Sequence, residues 1–485
     1  MSPRAALAPR SAPEIRLRGA VEVVQQKRAA SSAPERAEEL RSLIDGQVFL
    51  PDEEGYEPET AGWNLSVEHR PSVVVVPFTP EDIALAVRFA AGESLPVAVQ
   101  ATGHGPALPA DGSVFISTRK MKGLGIDVPA ESARIDPGVK WESVIQQAGP
   151  HGLAPLVGST PDVSAVGYLT GGGLPVLGRR YGFSSDLVQS LEVVTADGEL
   201  RHASDREHPD LFWAVRGGKG NFGIVTSIST KLLRLPRFYG GGLVFPGQKA
   251  GEVLRAWLEW TESQSDEMSS SVALARFPDA PDVPAPLRGF VVHLRIAFTG
   301  SAEEGERRVR PLRALGPSME MVAKMPYTRI AEVHNDPLEP VPVRDRGTLL
   351  RPLDETSVDR LVDMAGHEAQ VPPGLIELRH LGGALARPPT SPSAVGNRSA
   401  AFSMVTGMVT MPGEVERIDA IQRDLFEGMA QWDTGAKLPN FLGADTDPES
   451  VKRAYEDADY ARLREIKAVY DPHNLFHVNH NIPPA

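Results

Sequence analysis

The sequence predicts an α+β protein of two packed units. Three observations carry that prediction. At 485 residues the chain exceeds one ordinary domain. Up to about Leu235, short apolar runs alternate with helical patterns. Beyond Pro236 the runs lengthen and alternate strictly, as half-buried antiparallel strands do.

In chain order, residues 1–35 read as a flexible extension: arginines occur without the continuous apolar stretch of a secretory leader. "SAPERAEELRSLI" opens the first helix, with Ser32 and Glu35 at capping-box spacing and Leu40, Leu43 and Ile44 on one face. "PSVVVVP" is a buried strand, "TPEDIALAVRFAAGE" a helix begun at Thr79 and closed near Gly92, and "LPVAVQA" another strand. "SARIDPGVKWESVIQQAG", "LVQSLEVVTADGEL" and "GIVTSISTKLLRL" continue the mixture, so a first ordered unit is expected over 36–236.

The second unit is expected over 237–440. In "GFVVHLRIAFTG", Phe290, Val292, Leu294, Ile296 and Phe298 share one face, and Val291, His293, Arg295 and Ala297 the other. Helical "SAEEGERRVRPLRAL" follows, then strands near "LIELRHLGG" and "AFSMVTGMVT". The expected product is an antiparallel sheet with helices on its apolar side and a mixed polar face left over. Residues 441–485 return toward the first unit through a helix and "YDPHNLFHVNHNIPPA".

Composition removes several classes of function. A net charge of −13 argues against a nucleic-acid binder or a polybasic membrane ligand. No run approaches eighteen apolar residues, so no membrane span is expected, and the cytoplasm is the default location. The absence of cysteine excludes disulfides, thiolate nucleophiles and zinc–sulfur sites, and no metal is expected. "GGKGNFG" matches G-x-G-x-x-G through Gly218, Gly220 and Gly223, but β-branched "IVTSIST" follows where a dinucleotide loop must open a helix. A Rossmann fold is therefore rejected.

Two stretches point to a bound group. In "AVQATGHGPA", His104 stands between Gly103 and Gly105, immediately after a strand, where bare backbone can surround an anion. "TGGGLPVLGRRYG" is dense in glycine, as a backbone that must approach a ligand closely would be.

The order of the pieces adds to this. "ATGHG", then "GSTPDVSAVGYLTGGGLPVLGRRYG", "DLFWAVRGGKGNFGIVT" and the terminal "YDPHNLFHVNHNIPP" together resemble the FAD-linked oxidases of the vanillyl-alcohol-oxidase and p-cresol-methylhydroxylase (PCMH) type. More narrowly, the series is similar to the berberine-bridge-enzyme-like branch, which includes bacterial tailoring oxidases of secondary metabolism. The resemblance runs from about Leu40 to Pro484. It implies a PCMH-type FAD-binding domain and a substrate domain whose antiparallel sheet is flanked by helices.

It also implies roles for particular residues. Ala101, Thr102, Gly103, His104 and Gly105 would cradle the FAD pyrophosphate, with His104 joined covalently to the flavin 8α-methyl carbon. Gly158, Ser159, Thr160, Val163, Gly167, Gly171, Gly172, Gly173, Tyr181, Gly182, Asp186, Gly223, Ile224, Val225, Asn479 and Asn481 would complete the cofactor site. Thr160 matches the cysteine that many relatives bond to flavin C6; with no cysteine in the chain, the flavin would be mono-covalent. Pro175 stands where the family's glycine run usually has glycine. Asn440 matches the family's asparagine, but Leu438 occupies the position of its proton-accepting tyrosine.

The base is therefore absent or replaced. Glu377 leads the candidates, because a carboxylate between apolar neighbours would have a raised pKa; it shares a strand face with Arg379. His293 follows, sharing a face with Arg295, and then Tyr327 and Tyr455. The implied activity is an FAD-dependent oxidase. It takes a hydride from an alcohol, sugar-like or natural-product small molecule to flavin N5, with O2 as acceptor and H2O2 as product. A dehydrogenase or oxygenating enzyme with another acceptor, and a non-catalytic flavin-binding protein, remain open, and neither the substrate nor the oligomeric state is legible.

Overall fold

The computed structural model describes residues 33–105, 108–281 and 283–485. The N-terminal extension and the Ser32–Glu35 cap lie outside what is described.

Three large sheets organise the described chain, beside a two-stranded pair of Leu153–Ala154 with Leu233–Arg234. The first places strands Gln47–Phe49, Val73–Val76, Val114–Ser117 and Val97–Gln100 side by side in that order. The last three are parallel, which requires a crossover, and helix Pro80–Glu93 supplies one between Val73–Val76 and Val97–Gln100. Its start follows from "TPED": Thr79 Oγ1 accepts from Asp82 N at 3.2 Å, and the Asp82 carboxylate accepts from Thr79 N at 3.1 Å. The four valines of Val73–Val76 are all buried, as covered parallel strands must be.

The second sheet is antiparallel, ordered Leu124–Asp127, Ser132–Ile135, Ile224–Lys231, Val188–Val194, Leu200–Ser204. Strand Ile224–Lys231 begins directly after Gly223, so the glycine-rich "GGKGNFG" feeds a strand and not a helix. Gly223 has φ +147°, and a Cβ there would strike the carbonyl of Val194. Helix Asp457–Tyr470 packs Leu463 and Ile466 into the same core as Phe212 and Val215. Its buried Lys467 pairs with Asp471 at 2.7 Å and donates to Asn221 O at 2.6 Å, which ties the terminal segment to that glycine loop.

The third sheet is antiparallel throughout. Its path runs Met319–Glu320, Arg237–Pro246, Gly289–Phe298, Met268–Phe277, Gly374–His380, Phe402–Val409, Val343–Leu350, with Ala323–Pro326 also paired to Arg237–Pro246. Period-two alternation divides it cleanly. Val292, Leu294, Ile296 and Phe298 join Val272, Leu274, Ile376 and Met404 against Trp257, Leu361 and Ile418 of the covering helices. The opposite face carries aligned polar rows. Arg295, Ser271, Arg379 and Ser403 are successive register partners, and His293, Ala273 and Glu377 form the next row. This is the expected α+β arrangement, in which the large antiparallel sheet is backed by helices on its apolar side and keeps a polar side opposite.

Candidate active site

A cavity of about 430 Å³ lies where the three sheets meet. One wall is the end of strand Val97–Gln100 and the loop after it, Ala101–Gly105; another is Gly158, Ser159, Thr160, Val163 and Gly167. Lys219, Gly223, Ile224 and Val225 contribute from the glycine loop and its strand, and Asp345, Arg379, Asn440 and Phe441 from the large sheet and its neighbour. Phe476, Val478 and Asn479 close the far end.

The Ala101–Gly105 loop is shaped by its partners. Thr102 and Gly103 carbonyls accept from Trp63 N at 2.9 Å and Asn64 N at 3.0 Å. Among the described residues, the N–H groups of Gly103 and His104 have no acceptor. Gly103 has φ +70°, and a Cβ there would lie 2.5 Å from the Cα of Gly62, so only glycine allows this packing. Free N–H groups on a bare turn form an anion-binding nest.

His104 is held on three sides. Its ring stacks on Trp63 with centroids 4.5 Å apart and planes 11° apart. Nε2 is 3.1 Å from Asp162 Oδ1, and Nδ1 is 2.9 Å from Thr102 Oγ1. A carboxylate can only accept, so Nε2 carries the proton and Nδ1 presents a lone pair. Burial pushes the imidazole below its ordinary pKa, against the opposing pull of Asp162, and so favours the neutral ring. Thr160 Oγ1 donates to the same Asp162 oxygen at 3.2 Å, and Lys140 lies 3.5 Å from the other.

Of the cofactor residues expected from sequence, Ala101 to Gly105, Gly158, Ser159, Thr160, Val163, Gly167, Gly223, Ile224, Val225 and Asn479 line this cavity. Gly171, Gly172, Gly173, Tyr181, Gly182, Asp186 and Asn481 do not. The glycines are explained by packing. A Cβ on Gly171 would collide with the Asn440 side chain; on Gly172 it would sit 2.8 Å from Val395, and on Gly173 2.5 Å from Tyr168. Gly182 has φ +86° and closes a short helix that contains Tyr181. Asp186 pairs with Arg398 at 2.7 Å.

None of the four expected catalytic side chains lines the cavity. Glu377 is 3% exposed and locked. Its Oε1 accepts from Arg295 Nη1 and Ser271 Oγ, both at 2.7 Å, and its Oε2 accepts from Arg379 Nε at 2.7 Å. Burial alone would raise its pKa, but Arg379 and Arg295 outweigh burial and hold it well below the usual carboxylate range. The isolated carboxylate expected between apolar neighbours is thus an ion-pair hub, because its partners arrive from other strands. His293 is buried, its Nδ1 accepting from Arg295 Nε at 3.3 Å and its Nε2 lying against bare Gly242. Burial pushes it well below its ordinary value. Tyr327 donates to Pro155 O and Tyr455 to Gly217 O, and burial raises both phenols.

Four further charged residues stand in or beside the cavity. Asp162 orients His104. Arg379 reaches the cavity wall from the large sheet. Asp345 lies in the wall; burial raises its carboxyl to about 6, against the opposing effect of Lys219. Lys219 itself is pushed down to about 8 by burial, and it donates to Pro439 O at 3.1 Å and to His480 Nδ1 at 3.3 Å. Lys219 was hidden within a glycine run, and Asp345 between two arginines.

A nest of free N–H groups, a neutral histidine whose unprotonated Nδ1 is met only by the Thr102 hydroxyl, and two cationic side chains in one large cavity suit a phosphate-bearing flavin. The fold and the cavity define the FAD-linked oxidoreductases. The chain matches the family description "FAD binding domain" over residues 71–204 and "Berberine and berberine like" over residues 426–483. It is 27% identical over 465 residues to (R)-6-hydroxynicotine oxidase of Paenarthrobacter nicotinovorans, covering 91% of this chain and 97% of that one. The crystal structure of 6-hydroxy-D-nicotine oxidase from Arthrobacter nicotinovorans superposes with a TM-score of 0.79 at 24% identity, covering 91% and 98%. Glucooligosaccharide oxidase from Acremonium strictum, described as carrying a 6-S-cysteinyl, 8α-N1-histidyl FAD, superposes at 0.79 and 20% identity, covering 92% and 98%. The chain is an FAD-linked oxidoreductase that carries an FAD binding domain and a berberine-like segment, in the order its relatives share. Among the described residues no helix is long and apolar enough to cross a membrane.

The Glu377 hub generates a direct prediction. Glu377→Gln leaves two buried guanidiniums without their shared countercharge, and breaking a buried pair costs about 3–5 kcal/mol. Chemical denaturation should show a loss of that order.

Proposed function

We propose that this chain is an FAD-dependent oxidase of small alcohol, sugar-like or natural-product molecules, with flavin attached through His104 Nδ1 and Asp345 as proton acceptor. The observation that carries it is the Asp162–His104 bond, which leaves Nδ1 unprotonated on a histidine that lines the cofactor cavity. When bound, FAD supplies hydride acceptance and passes the electrons to O2, giving H2O2. The histidyl linkage described for glucooligosaccharide oxidase supports the same tether here. The second, cysteinyl tether has no counterpart: Thr160 instead hydrogen-bonds Asp162.

The other roles belong to the chain's own groups. Asp162 accepts the Nε2 proton and keeps Nδ1 nucleophilic, as an orienting carboxylate does in any histidine pair. The Gly103–His104 nest holds the negative pyrophosphate. Asp345 takes the substrate proton, the task that Leu438 cannot perform; Leu438 packs with Leu349, Phe183 and Leu174. A carboxyl near 6 is ionised at neutral pH yet basic enough to accept a proton. We further propose a flavin-binding unit over 36–236, a substrate unit over 237–440 and a returning segment over 441–485. The berberine-like segment supports a role in natural-product tailoring, with the cytoplasm as the location.

Asp162→Asn should impair flavin attachment. An amide can donate to Nε2 and move the proton to Nδ1, removing the nucleophilic lone pair. Flavin fluorescence retained by the denatured band should fall sharply, while His104→Ala should retain none; undiminished fluorescence in Asp162→Asn would remove the orienting role.

Asp345→Asn should slow anaerobic flavin reduction by roughly 10²–10⁴-fold. In the wild type the rate should fall as pH drops through about 6, because protonation of Asp345 disables it. Lys219 and Arg344 pull that limb down, and Asp445 pushes it up. A limb that persists in Asp345→Asn would assign the base elsewhere.

A further inference from the structure

The polar face of the large sheet holds Arg295 and Arg379 against Glu377, which bridges them, while Asp345 shares that face by register. The neighbouring His293 and His334 are pushed below their ordinary values by burial. Arg379 uses only Nε for Glu377; among the described residues its two terminal nitrogens have no protein acceptor.

Those terminal nitrogens stand at a junction. Arg379 lines the cofactor cavity and also a second cavity of about 30 Å³, which Ser269, Arg295, His334, Leu174 and Pro175 line as well. Ser269 is 8% exposed, and its Oγ has no hydrogen-bond partner among the described residues. A buried polar group left unmade is costly to keep. The small cavity has room for a carboxylate-sized group or a few waters. A cationic substrate group would be repelled by Arg379, and a neutral one would meet its free terminal nitrogens without bringing a countercharge. A carboxylate satisfies both the charge and the planar donor fork.

We propose that the substrate is an organic carboxylate, with Arg379 as the specificity-determining residue that grips its carboxylate beside the flavin and Ser269 as a second donor. This rests on the reading of the larger cavity as the flavin site.

The test titrates purified holoenzyme with phenylacetate and with 2-phenylacetamide, and with acetate against acetamide, reading the flavin absorbance band. Each acid should perturb the band with an affinity roughly 10-fold or more above that of its amide, the scale of one hydrogen bond to a charged group. Arg379→Met should erase that preference. Arg379→Lys, which keeps the charge beside Glu377, should retain acid over amide, and it secures the comparison if the methionine variant folds poorly. Equal binding of acid and amide by the wild type, or an acid preference that survives in Arg379→Met, would overturn the inference. A wild-type protein that purifies without flavin overturns the cofactor reading and this inference with it; a flavin-loaded protein indifferent to charge overturns this inference alone.

Discussion

The bond between Asp162 and His104 governs the chemistry of the cavity. A neutral imidazole has one donor and one acceptor nitrogen, and a carboxylate 3.1 Å from Nε2 decides which is which. Everything around it supports that choice. Thr160 and Lys140 hold the carboxylate, Thr102 offers a hydroxyl to Nδ1, and Trp63 fixes the ring plane. Thr160, which the resemblance matches to a cysteine, instead braces the carboxylate that pairs with His104.

The large sheet imposes the second constraint. A strand with one apolar face must present its other face somewhere, and here that face turns inward. Burying Arg295, Arg379 and Glu377 together is tolerable only because their register brings them within hydrogen-bond reach. The same register explains why Glu377 is a poor base. Its two arginines favour the carboxylate so strongly that it resists protonation, whereas at Asp345 burial outweighs Lys219 and Arg344 and raises the carboxyl to about 6.

Much of the architecture was legible in the sequence because side-chain period reports directly on faces. The split of Gly289–Phe298 into an apolar and a polar side, the Thr79 helix start and the rejection of a Rossmann loop at Gly223 all rest on local patterns, and the structure shows each of them. The cofactor loop was legible for a similar reason, since His104 between glycines is a local feature. What local pattern cannot give is the partner. Asp162 lies 58 residues from His104, and Arg295 lies 82 from Glu377. A glycine shows that a Cβ is excluded, not by what; at Gly172 the neighbour is Val395. The residues around His104 that the resemblance singles out line the cavity, whereas the bare side of the Gly171–Gly173 run meets protein packing.

The proposed single covalent link at His104 is open to peptide mass mapping of the purified, unfolded protein. The expected result is the mass of FAD on the peptide that contains His104 and on no other. An unmodified His104 peptide, with the flavin recovered free, would contradict it.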